Sequence, residues 1–487
     1  MASSCSHARF QPAILRFASL AQDRGERGLR LSRTTTLNAG LTLALALWGG
    51  ALVSADSAER PAPNPEAGNA AYLHSCARCH GVTGQGDGVD AKRFYPRPRN
   101  LTLGVYKFRS TASGTPPTDA DLFQTITRGL PGSNMPDWQH LDEKTRWQLV
   151  DYLKSLSTFF DEVKPEPVKT VPDPGPARAD RQKGQQLYEQ LGCVRCHGAN
   201  GRANGPSAPT LVDDWGMPIR PANLTQGWAF RGGSDERSVM MRVLTGIDGT
   251  GMPSHADVVS PEDAWHLAYY VTSLQETPRW NMIAHASYVR GALPTALDDS
   301  RWNAAERSDV RVRHVVTPDG VWASPPTVKA VSFQVLFNAE AVAFRFSWDD
   351  PSNDTQPPDR LALVLKPEGA QGDVVTLQAW PYAGAPRLDF CVWSSETNQA
   401  SETLAEEFDS VIAPKAPQGT LTSVSGYEDG RWRLMVVRPL AQATPPSAAR
   451  IVPEEFTSVA FVVWDGANPN ARAVSPWMDV VLRKHTQ

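Results

Sequence analysis

Two short clusters carry most of the reactive side chains in this chain: Cys76-Ala77-Arg78-Cys79-His80 and Cys193-Val194-Arg195-Cys196-His197. Two thiols three positions apart, followed at once by an imidazole, form the pattern that fixes a haem. The thiols make thioether bonds to the porphyrin vinyl groups, and the imidazole is set beneath the iron. A single copy would also suit a zinc ion or a redox Cys-x-x-Cys. Two copies with matching downstream residues select haem, so the expected cofactors are two covalent haem c groups.

The downstream residues supply a sixth ligand. Met135 lies 59 residues after Cys76, and Met252 lies 59 residues after Cys193. Each precedes a proline in a glycine-containing loop, Gly132-Ser133-Asn134-Met135-Pro136 and Gly249-Thr250-Gly251-Met252-Pro253, where the backbone can come close to a flat cofactor. The expected sites are therefore Cys76, Cys79, Cys193 and Cys196 as haem attachment points, with His80, Met135, His197 and Met252 as iron ligands. His/Met ligation leaves the iron no open position, which suits electron transfer, and no catalytic residue is assigned. His255, just behind Met252, is the nearest rival ligand. Arg109 and Arg231 occupy matching places and are candidates for pairing with haem propionates, an ordinary surface role being the alternative.

These clusters sit in an internal repeat. Arg99-Asn100-Leu101-Thr102 answers Ala222-Asn223-Leu224-Thr225, and Lys107-Phe108-Arg109 answers Ala229-Phe230-Arg231. Each copy closes with helical periodicity, Trp147/Val150/Leu153 and Trp265/Ala268/Val271 falling on one face. Met240 and Met241 lie on a helix-like stretch and read as core. Beyond about Pro278 the period changes to two, as in Val342, Phe344, Phe346 and Trp348. Further strands are expected at 361–365, 374–380, 388–393, 431–437, 459–464 and 479–482. The expected fold class is multidomain: two small all-α units followed by an all-β sandwich.

The chain has 487 residues, enough for three domains. Its 48 Lys and Arg against 52 Asp and Glu create no field that would favour nucleic acid. An apolar run, Leu41 to Val53, follows Arg24, Arg27, Arg30 and Arg33 and ends in Val53-Ser54-Ala55, which reads as an export signal with an uncleaved anchor as the alternative. The expected division is 1–55 export signal, 56–67 linker, 68–160 first haem domain, 161–179 proline-rich linker, 180–277 second haem domain and 278–487 β-sandwich. The expected location is the periplasm. Cys5 falls in the signal, and Cys391 reads as a buried strand residue.

The stretch from about Gly68 to Leu274 resembles tandem class I cytochrome c domains, each a small helical fold around one haem. The stretch from about Ser300 to Leu482 resembles the haem b-binding γ-subunit domain of the ethylbenzene and dimethyl sulfide dehydrogenase group. That second resemblance rests on Ala343-Phe344-Arg345-Phe346-Ser347-Trp348-Asp349-Asp350, on Gly430-Arg431-Trp432 with Val437-Arg438-Pro439-Leu440, and on Val459-Ala460-Phe461-Val462-Val463-Trp464-Asp465-Gly466. It implies molybdopterin and iron–sulfur subunits as redox partners, possible association with a membrane-bound electron-transfer chain, and a haem b held by Met and Lys. The corresponding positions hold Ala383 and Arg472, neither of which offers a lone pair to iron. The expectation is a domain that keeps the fold without haem b; the alternative is a slipped alignment with Lys329, Lys366, Met435 or His314 as ligands. The functional expectation is a dihaem electron carrier or γ-like subunit of a periplasmic molybdenum oxidoreductase. The alternative is a cytochrome c fused to a ligand- or carbohydrate-binding module; an exposed groove holding Trp380, Trp393 or Trp432 would favour it, whereas each of the three reads first as a core residue.

Overall fold

A computed structural model describes residues 60–316, 325–366, 377–381, 385–412, 419–440 and 449–484. The expected export signal, Cys5 and Ala383 lie outside the described residues. Among the described residues no helix is long and apolar enough to cross a membrane.

Each repeat is a small helical bundle. The first contains α1 (Pro65–Ser75), α2 (Ala77–His80), α3 (Asp119–Arg128), α4 (Glu143–Ser155) and α5 (Phe159–Glu162); the second contains α6 (Arg181–Gln190), α7 (Val194–His197), α8 (Glu236–Thr245) and α9 (Pro261–Ser273). Caps define their starts: Thr118 and Asp121 form a reciprocal capping box on α3, Asp142 caps α4, and Asp235 and Ser260 cap α8 and α9.

Glycine sets the helix crossings. A Cβ on Gly68 would come within 1.9 Å of the Gln148 carbonyl oxygen of α4, and one on Gly184 within 2.2 Å of the His266 carbonyl oxygen of α9. The cores lie beneath these crossings, Tyr72, Leu122, Ile126, Leu149 and Val150 in one copy and Tyr188, Met240, Leu244, Trp265 and Leu267 in the other.

The described residues beyond the repeats are mainly β, with strands β1 (Ile283–Tyr288), β2 (Ser308–Arg311), β3 (Arg313–Val316), β4 (Ala330–Phe337), β5 (Ala341–Asp349), β6 (Arg360–Leu365), β7 (Leu388–Ser394), β8 (Gln399–Ala405), β9 (Gly419–Glu428), β10 (Arg431–Pro439), β11 (Phe456–Trp464), β12 (Ala471–Val474) and β13 (Met478–Leu482). The path runs β13-β1-β4-β5-β10-β9-β8-β7-β6-β11, and β13 also pairs with β11, so the sheet closes on itself as a flattened barrel whose opposed faces pack like a sandwich. The alternating residues that marked β5 point inward: Val342, Phe344, Phe346 and Trp348 join Phe333, Trp393, Trp432 and Phe461 in one core. Cys391 is buried there on β7. Asp429 and Gly430, at φ 48° and 73°, make the two-residue turn between β9 and β10.

One expectation needs correction. The run 374–380 is not a strand where it is described: Leu377–Ala379 is a 3₁₀ turn. It delivers Trp380 against Phe390 and Phe408, and this second apolar layer, with α10 (Phe408–Ile412), covers the outer face of the sheet. Trp380, Trp393 and Trp432 are 3%, 0% and 5% exposed, so they pack the domain and line no open groove.

Candidate functional site

Tyr72 and Tyr188 brace the two Cys-x-x-Cys-His turns identically. Each hydroxyl donates to the carbonyl of the glycine after the histidine, Gly81 and Gly198, at 2.7 Å. The histidines are then oriented by backbone. Nδ1 of His80 lies 3.0 Å from the Arg99 carbonyl oxygen, and Nδ1 of His197 lies 2.8 Å from that of Ala222. A carbonyl only accepts, so Nδ1 carries the hydrogen, and Nε2 keeps a lone pair for a metal. Burial keeps both imidazoles below the usual histidine range, hence neutral. Burial also pushes the thiols of Cys76 and Cys193 up, to about 12 and about 11, unlike the depressed values of a redox Cys-x-x-Cys.

The methionine loops repeat the same economy. The amide of Met135 donates to Ser133 Oγ and that of Met252 to Thr250 Oγ1, both at 3.2 Å. The carbonyls of Met135 and Met252 accept from Leu130 at 3.0 Å and Ile247 at 3.1 Å. Gly129 and Gly246, which end α3 and α8 at φ 63° and 66°, let these loops press close: a Cβ on either would meet loop backbone at 2.5 Å.

In the first repeat, Cys76, Cys79, His80 and Met135 line a single cleft, walled by Leu101, Leu122, Ile126, Leu149 and Leu153. Two buried donors in the wall, Tyr106 Oη and Trp138 Nε1, have no hydrogen-bond partner. Arg99, Lys107 and Arg231 also line it, and among the described residues none of them forms an ion pair. Burial first, then repulsion from Arg99 and Arg231, pushes Lys107 down to about 8, and burial lowers Arg99 and Arg231. An apolar slot with two thiols, an imidazole nitrogen, a thioether, orphaned donors and cations on its wall fits a haem with its two carboxylates.

Arg109 and Arg231 do not play the equivalent roles their positions suggested. Arg109 is buried, pairs with Asp248 at 2.8 Å and donates to the Thr245 carbonyl at 3.0 Å, tying the first repeat to the second. Arg231, from the second repeat, reaches the cleft of the first, as does Trp215. Trp138 and His255 each lie three residues after their methionine, and His255 Nδ1 is likewise buried without a partner. Aligning the repeats reveals that correspondence. Arg472 stacks on Phe408, its guanidinium 3.9 Å from the ring centroid, and Met435 is packed in an apolar cluster with Trp302. Burial lowers His314 to about 4, and its Nε2 lies 2.5 Å from the Val328 carbonyl.

The model of the cbb3-type cytochrome c oxidase subunit III family matches residues 63–153 and again 179–271, the two segments that hold these sites. They are c-type cytochrome domains. The cbb3-type cytochrome c oxidase subunit CcoP of Azospirillum sp. (strain B510) is 28% identical over 222 residues, 43% of this chain and 62% of that protein. Subunit FixPc of Rhizobium leguminosarum bv. viciae is 25% identical over 194 residues, 35% of this chain and 63% of that protein. The chain thus spans under two thirds of the curated relatives it matches. A chain of the Kuenenia stuttgartiensis reducing HAO-like protein complex is 43% identical, covering 45% of this chain and all of that one, with a TM-score of 0.43. Residues 63–273 thus form a helical cytochrome c region, and the all-β domain follows it.

Proposed function

We propose that the cytochrome domains hold two covalent haems, one on Cys76 and Cys79 with His80 and Met135 as ligands, the other on Cys193 and Cys196 with His197 and Met252, and pass electrons between periplasmic redox partners. The cleft that unites Cys76, Cys79, His80 and Met135 carries this reading. Haem iron, when bound, supplies a one-electron couple. The chain orients the imidazoles through Arg99 and Ala222, excludes water with apolar walls, and supplies cations for the carboxylates.

The repeats are arranged for relay. The Arg99 carbonyl accepts from His80, while its guanidinium donates to the Asp248 carbonyl at 3.1 Å, four residues before Met252. One residue thus touches the ligand assembly of both sites. The curated relatives are named as subunits of an oxidase, which supports a subunit role here. The finer reading is a γ-like subunit that takes electrons from molybdopterin and iron–sulfur subunits, with the barrel as docking surface. Arg472 stacked on Phe408, within a layer filled by Trp380, Phe390 and Trp464, supports a barrel without haem b.

A pyridine haemochrome assay before and after acid–acetone extraction tests the reading. Two covalent haems with nothing extractable agree with it. Fewer than two would overturn the dihaem assignment, and an extractable haem would overturn the haem-free barrel.

A further inference from the structure

The sequence segments Trp348-Asp349-Asp350 and Trp464-Asp465-Gly466 have no part in the cytochrome sites, yet the fold brings them together. Asp350 follows β5, Asp359 precedes β6, and Asp465 follows β11. One carboxylate oxygen from each lies within 4.8 Å of the others, and all three side chains are buried. Asp350 is 0% exposed, and its Oδ2 accepts no hydrogen bond. The Asp350 carboxylate thus lies beside two more buried carboxylates and, among the described residues, forms no ion pair.

We propose that Asp350, Asp359 and Asp465 bind a divalent cation of the calcium type. The ligand atoms are all hard oxygens, with no histidine or cysteine in the cluster, which favours calcium or magnesium over zinc or copper. Their irregular origin, Asp350 and Asp359 at the two ends of the β5–β6 connection and Asp465 in the β11–β12 connection, suits the flexible coordination of calcium better than the strict octahedron of magnesium.

The surroundings are built to hold the carboxylates in place. Asp359 accepts from the amides of Gly466 at 2.8 Å and Asp354 at 2.9 Å and from Trp432 Nε1 at 3.0 Å. Asp465 accepts from Thr327 Oγ1 at 2.5 Å and from the Ala467 amide at 2.9 Å. Ser352 donates to Oδ1 of Asp350 and leaves Oδ2 unclaimed. Gly466 is required for the approach, since a Cβ there would stand 2.1 Å from the Pro357 carbonyl oxygen. Burial, reinforced at Asp350 by Asp465 and Asp359, pushes all three carboxyls up, Asp359 to about 7.

The cation would also reach the haem domains. Asp349, next to Asp350, accepts from Arg202, Asn223 and Gln226 of the second cytochrome domain, so a fixed strand end keeps that contact in register.

The test uses full-length holoprotein freed of metal with a chelator, titrated calorimetrically with CaCl₂ at neutral pH and melted with and without excess calcium. The expected result is saturable binding tighter than about 1 mM and a melting temperature raised by about 5–10 °C at a hundredfold excess over Kd. Asp350→Asn and Asp465→Asn should each abolish the calcium-dependent rise while folding without calcium, since the neutral amide relieves the repulsion. If either variant fails to fold, the wild-type titration and the other variant still decide. Absence of binding by the wild type, or an undiminished rise in the variants, would overturn the proposal.

Discussion

The buried guanidinium of Arg109, in the first cytochrome domain, forms an ion pair at 2.8 Å with Asp248, which opens the methionine loop of the second. Asp248 is used to capacity: it also accepts from Ser113 Oγ at 2.7 Å and the Gly114 amide at 3.1 Å, while its carbonyl accepts from Arg99. This carboxylate connects the two domains at the loop that carries Met252.

Removing it should strand a buried cation. Asp248→Ala is expected to destabilise the chain by about 3–5 kcal/mol, the usual cost of breaking a buried pair from one side. Urea unfolding monitored by tryptophan fluorescence would measure it, and a loss below about 0.5 kcal/mol would show that the pair is dispensable.

Asp349 gives the junction with the barrel a pH dependence. Burial alone would raise its carboxyl, but Arg431, Arg202 and Asn223 outweigh burial and hold it below the usual range. A depressed folded-state pKa means that the stabilisation is complete above the unfolded value, about 3.9, and is lost as the pH falls through the folded value. Melting temperature should therefore drop steeply below about pH 4, and the drop should be smaller in Asp349→Asn. An identical acid profile in the variant would refute this role.

The two methionines should be separable by spectroscopy. Met135→His is expected to abolish half of the sulfur-to-iron charge-transfer absorbance and lower one potential, because a second imidazole favours the ferric state relative to thioether; Met252→His should do the same for the other half. Redox titration would show one shifted and one unshifted couple. Two unshifted couples would remove methionine from the ligand set.

Gly184 tests the helix crossing independently of any haem ligand. In Gly184→Ala the new methyl meets the His266 carbonyl and the Tyr270 side chain, at 2.2 and 2.7 Å. The loss should be about 1–3 kcal/mol by overpacking, read by thermal melting followed by circular dichroism. A more stable variant, as helix propensity alone would give, would contradict the close approach.

What could be read from the sequence was what is local or periodic. The Cys-x-x-Cys-His turns, the equal 59-residue spacing to methionine and the alternation through Val342–Trp348 each lie within one repeat or one strand. The roles of Arg109 and Arg231 were not legible. The repeat makes them equivalents, but the domains pack so that one faces a partner carboxylate and the other a neighbouring cleft. The run 374–380 was misread because a β-rich composition marks burial as readily as a strand, and Trp380 is buried by packing onto the sheet rather than joining it. The Asp350/Asp359/Asp465 cluster was invisible for a third reason: Asp465 lies more than a hundred positions beyond the other two, and only the pairing of β6 with β11 brings it to them.

The two haem units are copies that can no longer be exchanged. Asp87 and Asn204 hold the same place in their repeats, each packed over the glycine that follows the histidine. Asn204 donates to Asp429 of the barrel at 3.0 Å, whereas Asp87 is exposed. A chimaera with the order of the units reversed would set two carboxylates against each other at that junction. The difference of this one side chain, acid in one copy and amide in the other, therefore suits only the second copy to the place beside the barrel.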